Sequence, residues 1–336
     1  MLNKTYLWLD WFSMPQPGAA KVEDIGEMKL NALRAEGSKA IRSIPAYVER
    51  SDFILILVPE CHHSDRKVPT CFRTWRRRGW CLLEFYAAAM ARDSSNPPLL
   101  VSSEKGTPVW LSPMEVMSLS VGGAEFTCCQ RNHVITTETQ KVMNGGDDVK
   151  KIPCDKPIAA GILEQLIDAK ISHLFNSNQD MVMARFYRCF KHWWMRGLSI
   201  RAHEENKQCT SLSKFKKRIR WSHEENQWFD DDGVGLLMYA VISNETVVVG
   251  ELLKNLEQNF KGEDYTRRLE SRVRNEGYAT LGIPGGVKTF PAAMMLASPD
   301  IISLLLQYVD VMEFEREVRE YHVAHSFINS FLSVTR

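Results

Sequence analysis

The chain has 336 residues, more than one ordinary domain needs and enough for two. With 44% hydrophobic and 25% charged residues and a net charge of +1, it reads as a packed protein, not as a disordered or uniformly basic nucleic-acid-binding chain. Its longest apolar runs fall far short of the ~20 residues of a membrane span, Tyr6–Leu9 is too short for a signal peptide, and eight irregularly spaced cysteines suit a reducing interior. The expectation is a soluble, cytoplasmic protein with no membrane span.

Tyr6 to Phe12 is a bulky apolar run interrupted by Asp10, the pattern of a buried strand, and the proline- and glycine-containing stretch Ser13–Gly18 ends it. From Val22 to Ile44 the positions Ile25, Met28, Leu33, Ala40, Ile41 and Ile44 recur at helical spacing, with a break predicted at Gly37-Ser38. Phe53–Val58 predicts a second buried strand stopped by Pro59. A helix follows from about Trp80 to Arg92, and Leu99–Val101 adds a short strand. This order predicts a parallel sheet covered by helices, with function gathered in the loops Ser13–Ile25 and Glu60–Arg78 beyond the strand ends.

The second of these loops carries Cys61-His62-His63 and then Arg73, Arg76, Arg77 and Arg78 ahead of Gly79. Arginines around a helix start add to the positive end of the helix dipole and offer a phosphate seat; a solvated basic loop has the same composition. Glu84 lies one turn beyond Trp80 on the same helix face. There it could stabilise an oxocarbenium-like centre during cleavage of a ribosyl bond, or pair with Arg77 or Arg78.

Ala40-Ile41 with Ser43, then Phe53–Val58, then Trp80-Cys81-Leu82-Leu83-Glu84-Phe85 resemble the Toll/interleukin-receptor (TIR) domain, whose corresponding helix reads Trp-Cys-Leu-x-Glu-Leu. Trp8-Leu9-Asp10 followed by Gln16 is similar, more distantly, to fungal heterokaryon-incompatibility domains. The resemblance covers roughly residues 6–101 and implies an incomplete flavodoxin-like α/β sheet that self-associates. In the enzymatic branch of that family the Glu cleaves NAD. The resemblance therefore implies Glu84 as catalytic carboxylate, with Arg76, Arg77, Arg78, Trp80, Asp10 and Ser13 around the nucleotide. This chain departs from the family in three places: no counterpart of the first strand and helix precedes Tyr6, Arg76–Gly79 replaces a small-residue stretch, and Pro15 and Pro17 replace a basic-glycine turn.

Residues 102–157 read as an irregular connection, with a short strand pair over Val121–Cys129. Cys128, Cys129, His133 and Cys154 are four soft ligands, but the Cys-x2-4-Cys knuckle of zinc sites is absent. Adjacent cysteines on a strand point to opposite faces, so the expectation is reduced thiols and no metal.

Residues 158–198 predict a helical hairpin broken at Asn176-Ser177-Asn178, its second helix lined by Met183, Phe186, Tyr187, Phe190, Trp193 and Trp194, burying its aromatics and leaving its basic side chains in water. Residues 199–228 read as a charged linker, whose Lys214–Arg220 run could serve nuclear import or an acidic surface.

Residues 229–336 contain an internal repeat. Gly233, Leu237, Ala240, Val248 and Leu252 superpose without a gap on Gly286, Phe290, Ala293, Ile301 and Leu305, an offset of 53 residues. The spacing resembles the ankyrin repeat, lengthened by a charged insertion over Lys254–Asn275, with the helices of 158–198 or 311–334 as caps. An ankyrin-like, all-α region implies protein partners.

Two readings follow. One is an intracellular signalling scaffold in which both parts bind proteins, requiring no cofactor and expecting no nucleic acid. The other is an NAD glycohydrolase, with NAD as substrate and Glu84 as its carboxylate.

Overall fold

The computed structural model describes residues 6–9, 13–15, 26–62, 68–91, 98–103, 106–111, 119–135, 150–177, 180–198, 208–221, 227–274, 281, 283 and 285–308. The chain divides into two compact units, Met1–Leu111 and Ser112–Arg336.

In the first unit, α1 (Glu27–Arg42) runs unbroken through Gly37-Ser38, with Gly37 buried. It is followed by α2 (Ile44–Glu49), β1 (Leu55–Leu57), the two-residue strands β2 (Cys61–His62) and β3 (Pro69–Thr70), α3 (Phe72–Trp75), α4 (Gly79–Ala89), β4 (Leu99–Val101) and β5 (Val109–Trp110). The mixed α/β character agrees with the sequence reading, but the sheet is small. β1 and β4 are parallel, with Leu55 opposite Leu99 and Leu57 opposite Val101. β5 then joins β4 antiparallel, with Leu99 opposite Trp110. That added strand carries the head ten residues beyond Val101, and the sheet is not wholly parallel.

α4 is the core of this unit. Cys81, Leu82, Leu83, Phe85, Tyr86, Ala87 and Ala88 are all buried, so its apolar surface runs almost all the way round, and it packs on α2. Two expected buried strands differ. Over Tyr6–Leu9 no ladder forms, and Tyr6 and Leu7 are exposed; Trp8 instead stacks on Tyr47, ring centroids 5.1 Å apart. Phe53, Leu55 and Leu57 alternate with buried Ile56 and Val58, so β1 buries one side only.

The first described elements of the second unit are a 3-10 turn at Val121–Gly123 and α5 (Thr127–Gln130), where a strand pair is expected from sequence. β6 (Val134–Ile135) pairs antiparallel with β7 (Lys150–Lys151). The hairpin α6 (Lys156–Ser177) and α7 (Met181–Trp194) follows, turning where Asn176–Asn178 predicts, and Asp180 caps α7 by accepting from Met183 N–H at 2.7 Å. Residues 208–221 are no linker. They form α8 (Leu212–Arg218), with Phe215, Ile219 and Trp221 buried, and Arg218 pairs with Glu245.

Beyond it, α9 (Leu236–Ile242) and α10 (Thr246–Asn259) form one helix pair, α12 (Thr289–Leu296) and α13 (Pro299–Leu305) another. α9 packs on α12, α10 on α13, and α7 on α9, so the pairs stack side by side behind the hairpin. The 53-residue offset is carried into the packing. Val234 and Val287, Ala240 and Ala293, Val248 and Ile301, Leu252 and Leu305 are all buried. Gly233 and Gly286 both take left-handed backbone, at φ 78° and 71°. Between the pairs lies a separate short helix, α11 (Gly262–Leu269), within the stretch where an elongated or inserted helix is expected. Residues 311–334 lie outside the described residues.

Candidate functional site

Two places gather chemistry-bearing side chains. The first is the start of α4. The β2–β3 pairing sets Cys61 opposite Thr70, whose Oγ1 lies 2.8 Å from the Cys61 Sγ. The chain then enters α3 through Cys71, whose N–H donates to Thr74 Oγ1 at 2.9 Å. The backbone N–H of Thr74, in turn, holds the Cys71 thiol below its ordinary value. The Arg76 guanidinium sits 5.9 Å from the centroid of the Phe72 ring. Arg77 and Arg78 are exposed, and Arg78 is the residue immediately before the helix.

Arg76, Arg77 and Arg78 thus lie between the end of α3 and the start of α4, whose first turn is its positive end. Trp80 and Glu84 are half-buried one turn apart on that helix, and both already engage neighbouring groups. The described hydrogen bonds of Ser13 are both to Leu9: its Oγ accepts from Leu9 N–H at 3.1 Å and its N–H donates to Leu9 O at 2.8 Å. Asp10 and His63 lie outside the described residues, so of the predicted nucleotide site Ser13 and the α4 end are described.

The second place was set aside on sequence, and the structure reverses the reasoning. Cys128 and Cys129 lie in α5, a helical turn, not a strand; neighbouring side chains there diverge by about 100° instead of alternating by 180°. Both thiols can therefore reach one point. Asn132 and His133 follow in left-handed backbone, at φ 49° and 59°, and the His133 N–H closes back on the Cys128 carbonyl at 2.7 Å. The β6–β7 pairing and a 2.9 Å bond from Ile152 N–H to His133 O return the chain, which brings Cys154 to the same spot. Cys129 Sγ lies 3.9 Å from Cys128 Sγ, 3.8 Å from Cys154 Sγ and 3.6 Å from His133 Nε2. All four ligand atoms fall within 4.8 Å of one another. Burial, with hydrogen bonds from Cys154 and Cys128, pushes the Cys129 thiol up to about 11.

No family model, curated protein or solved structure matches the chain. The chemistry of each cluster must therefore be taken from its own geometry. The α4 end offers cationic and aromatic groups beside one half-buried carboxylate. The Cys/His group offers four soft ligands around one point.

A third polar group was missed on sequence. Arg185, expected in water, is buried on α7; its Nη1 lies 3.7 Å from Asp230 Oδ2, and its guanidinium carbon 5.0 Å from the Trp221 ring centroid. Asp230 also accepts from Tyr239 OH at 2.6 Å and from the N–H groups of Asp232 and Val234. The signal was present: Val182, Arg185, Phe186 and Cys189 recur at three- and four-residue spacing, which puts Arg185 on the buried stripe.

No described helix is long and apolar enough to cross a membrane.

Proposed function

We propose that the protein is a signalling scaffold that self-associates through its TIR-like head and holds a protein partner through its ankyrin-like tail. The observation that carries this reading is the side-by-side stack of α9–α10 and α12–α13, whose equivalent residues lie 53 positions apart. Stacked helix pairs share one core and leave helix ends and connecting loops as an extended surface for a partner. No catalytic group is needed for that role.

Self-association is supported by the head. Among the described residues β1 is an edge of the sheet, and Phe53 just ahead of it and Leu55 and Leu57 on one of its faces are 64%, 52% and 60% exposed. An apolar, unpaired edge favours pairing with another strand, and a second copy of the chain offers the same edge. Full-length protein is expected to sediment as a concentration-dependent oligomer. Leu55→Lys with Leu57→Lys is expected to sediment as a monomer at every concentration. A wild-type monomer across the micromolar range, or an oligomer indifferent to both substitutions, would remove the head from the proposal.

NAD cleavage is the second reading, and it draws on the three arginines at the start of α4 with Glu84 in the second turn. On that reading the tail selects where the head acts.

A further inference from the structure

We propose that Cys128, Cys129, His133 and Cys154 form a structural zinc site that clasps the start of the second unit. Zinc prefers four soft ligands in a tetrahedron, with Zn–S near 2.3 Å and Zn–N near 2.0–2.1 Å. A regular tetrahedron with those bond lengths puts sulfurs about 3.8 Å apart and a sulfur about 3.6 Å from the nitrogen. The Cys129 sulfur meets its three partners at 3.9, 3.8 and 3.6 Å. The remaining edges are within 4.8 Å, so closing the tetrahedron on one ion takes a side-chain shift of about 1 Å at most in the longest of them.

Other uses of four such groups fit less well. The sulfur separations are nearly twice the ~2.05 Å of a disulfide bond, and none of the eight cysteines is in a disulfide. Three sulfurs and an imidazole give the soft donor set that selects zinc over magnesium or calcium. With four protein ligands no coordination position is left for substrate or water, so the role is structural.

The surroundings fit the same role. Asp155 N–H points at Cys128 Sγ from 3.4 Å, the kind of outer bond that steadies a thiolate ligand. The two consecutive left-handed residues Asn132 and His133 carry a backbone cost that the ligand bond of His133 offsets. The ligands come from α5, from the turn after it and from the residue pair ahead of α6. An ion there joins the stretch 128–133 to Cys154 just before the long hairpin, where the described elements are all short.

The test uses the full-length chain expressed in zinc-replete cells. Elemental analysis after gel filtration is expected to find about one zinc per chain, and cobalt exchange is expected to give the visible d–d absorption of a tetrahedral thiolate site. Cys154→Ser and, separately, His133→Ala are expected to retain under about a tenth of that zinc after dialysis. Cys61→Ser, an exposed cysteine of the head, is expected to keep all of it. Because a ligand variant could fail to fold, the wild type is also stripped with a chelator. Its melting temperature is expected to fall on stripping and to return with zinc but not with magnesium. Metal-free wild-type protein that melts identically with and without added zinc overturns the proposal. So does zinc that stays at wild-type level in Cys154→Ser and His133→Ala.

Discussion

Asp230→Ala is expected to cost the second unit about 3–5 kcal/mol, the loss typical when one member of a buried ion pair is removed. Arg185 is 1% exposed, and its Nε and Nη1 already lack hydrogen-bond partners. Removing the carboxylate would leave that guanidinium buried beside Trp221 without its counter-charge. It would also strand the N–H groups of Asp232 and Val234 and the Tyr239 hydroxyl, all of which donate to Asp230. Tyr239→Phe removes a single hydrogen bond to a charged group and should cost less, about 1.5–3 kcal/mol. Urea unfolding followed by tryptophan emission suits the measurement, since Trp194, Trp221 and Trp228 are buried in this unit. Asp230→Ala within 1 kcal/mol of wild type would show that the pair carries no such weight.

The same carboxylate sets a pH dependence. Burial raises Asp230 above its ordinary 3.8, opposed by the bonds from Tyr239 and Val234 and by Arg185. The folded state therefore holds the proton more tightly than the unfolded chain. This contribution is fully present below pH 3.8 and is lost as pH rises through the folded value. Asp230→Asn removes that slope.

Gly122→Ala is expected to be the most damaging single-methyl change, at roughly 3 kcal/mol or more, at and beyond the top of the usual range for overpacking. A Cβ on Gly122 would stand within 3.0 Å of the Arg196 carbonyl oxygen, the Gly197 carbonyl carbon and the Leu198 nitrogen. All are backbone atoms, so no rotamer change relieves the clash. The 3-10 turn would have to back away from the end of α7. That would break the Lys156 ammonium bridge, which donates to Gly122 O at 2.8 Å and to Gly197 O at 3.1 Å. Gly161, exposed in α6 with open space around it, is the matched control. There an added methyl favours the helix, and Gly161→Ala should gain about 0.5–1 kcal/mol. Equal stability of the two variants would refute the close approach.

What the sequence made legible follows largely from periodicity. Periodic spacing was enough to place the α6–α7 hairpin and the matching positions of the 53-residue repeat, whereas α4, buried almost all round, was legible from its Leu- and Ala-rich composition. Three features depended on which partner lies across the core. Phe53–Val58 is apolar throughout, yet only Ile56 and Val58 find cover, so composition overstated its burial. Arg185 is polar by type but lies on the buried stripe of α7, where Asp230, 45 residues away, meets it. Cys128-Cys129 looked incompatible with a shared ion only while the segment was read as a strand. A helical turn, local geometry that four residues do not announce, makes them compatible. The sequence puts Arg76–Arg78 just ahead of α4, but spacing could not reveal that Glu84 and Trp80 already engage other groups.

The choice between scaffold and enzyme rests on that carboxylate. Purified full-length protein is incubated with NAD at concentrations where the wild type self-associates, beside Glu84→Gln, and free nicotinamide is measured over time. The scaffold account predicts intact NAD with both proteins. Nicotinamide released by the wild type and lost in Glu84→Gln would contradict it and make Glu84 a catalytic residue.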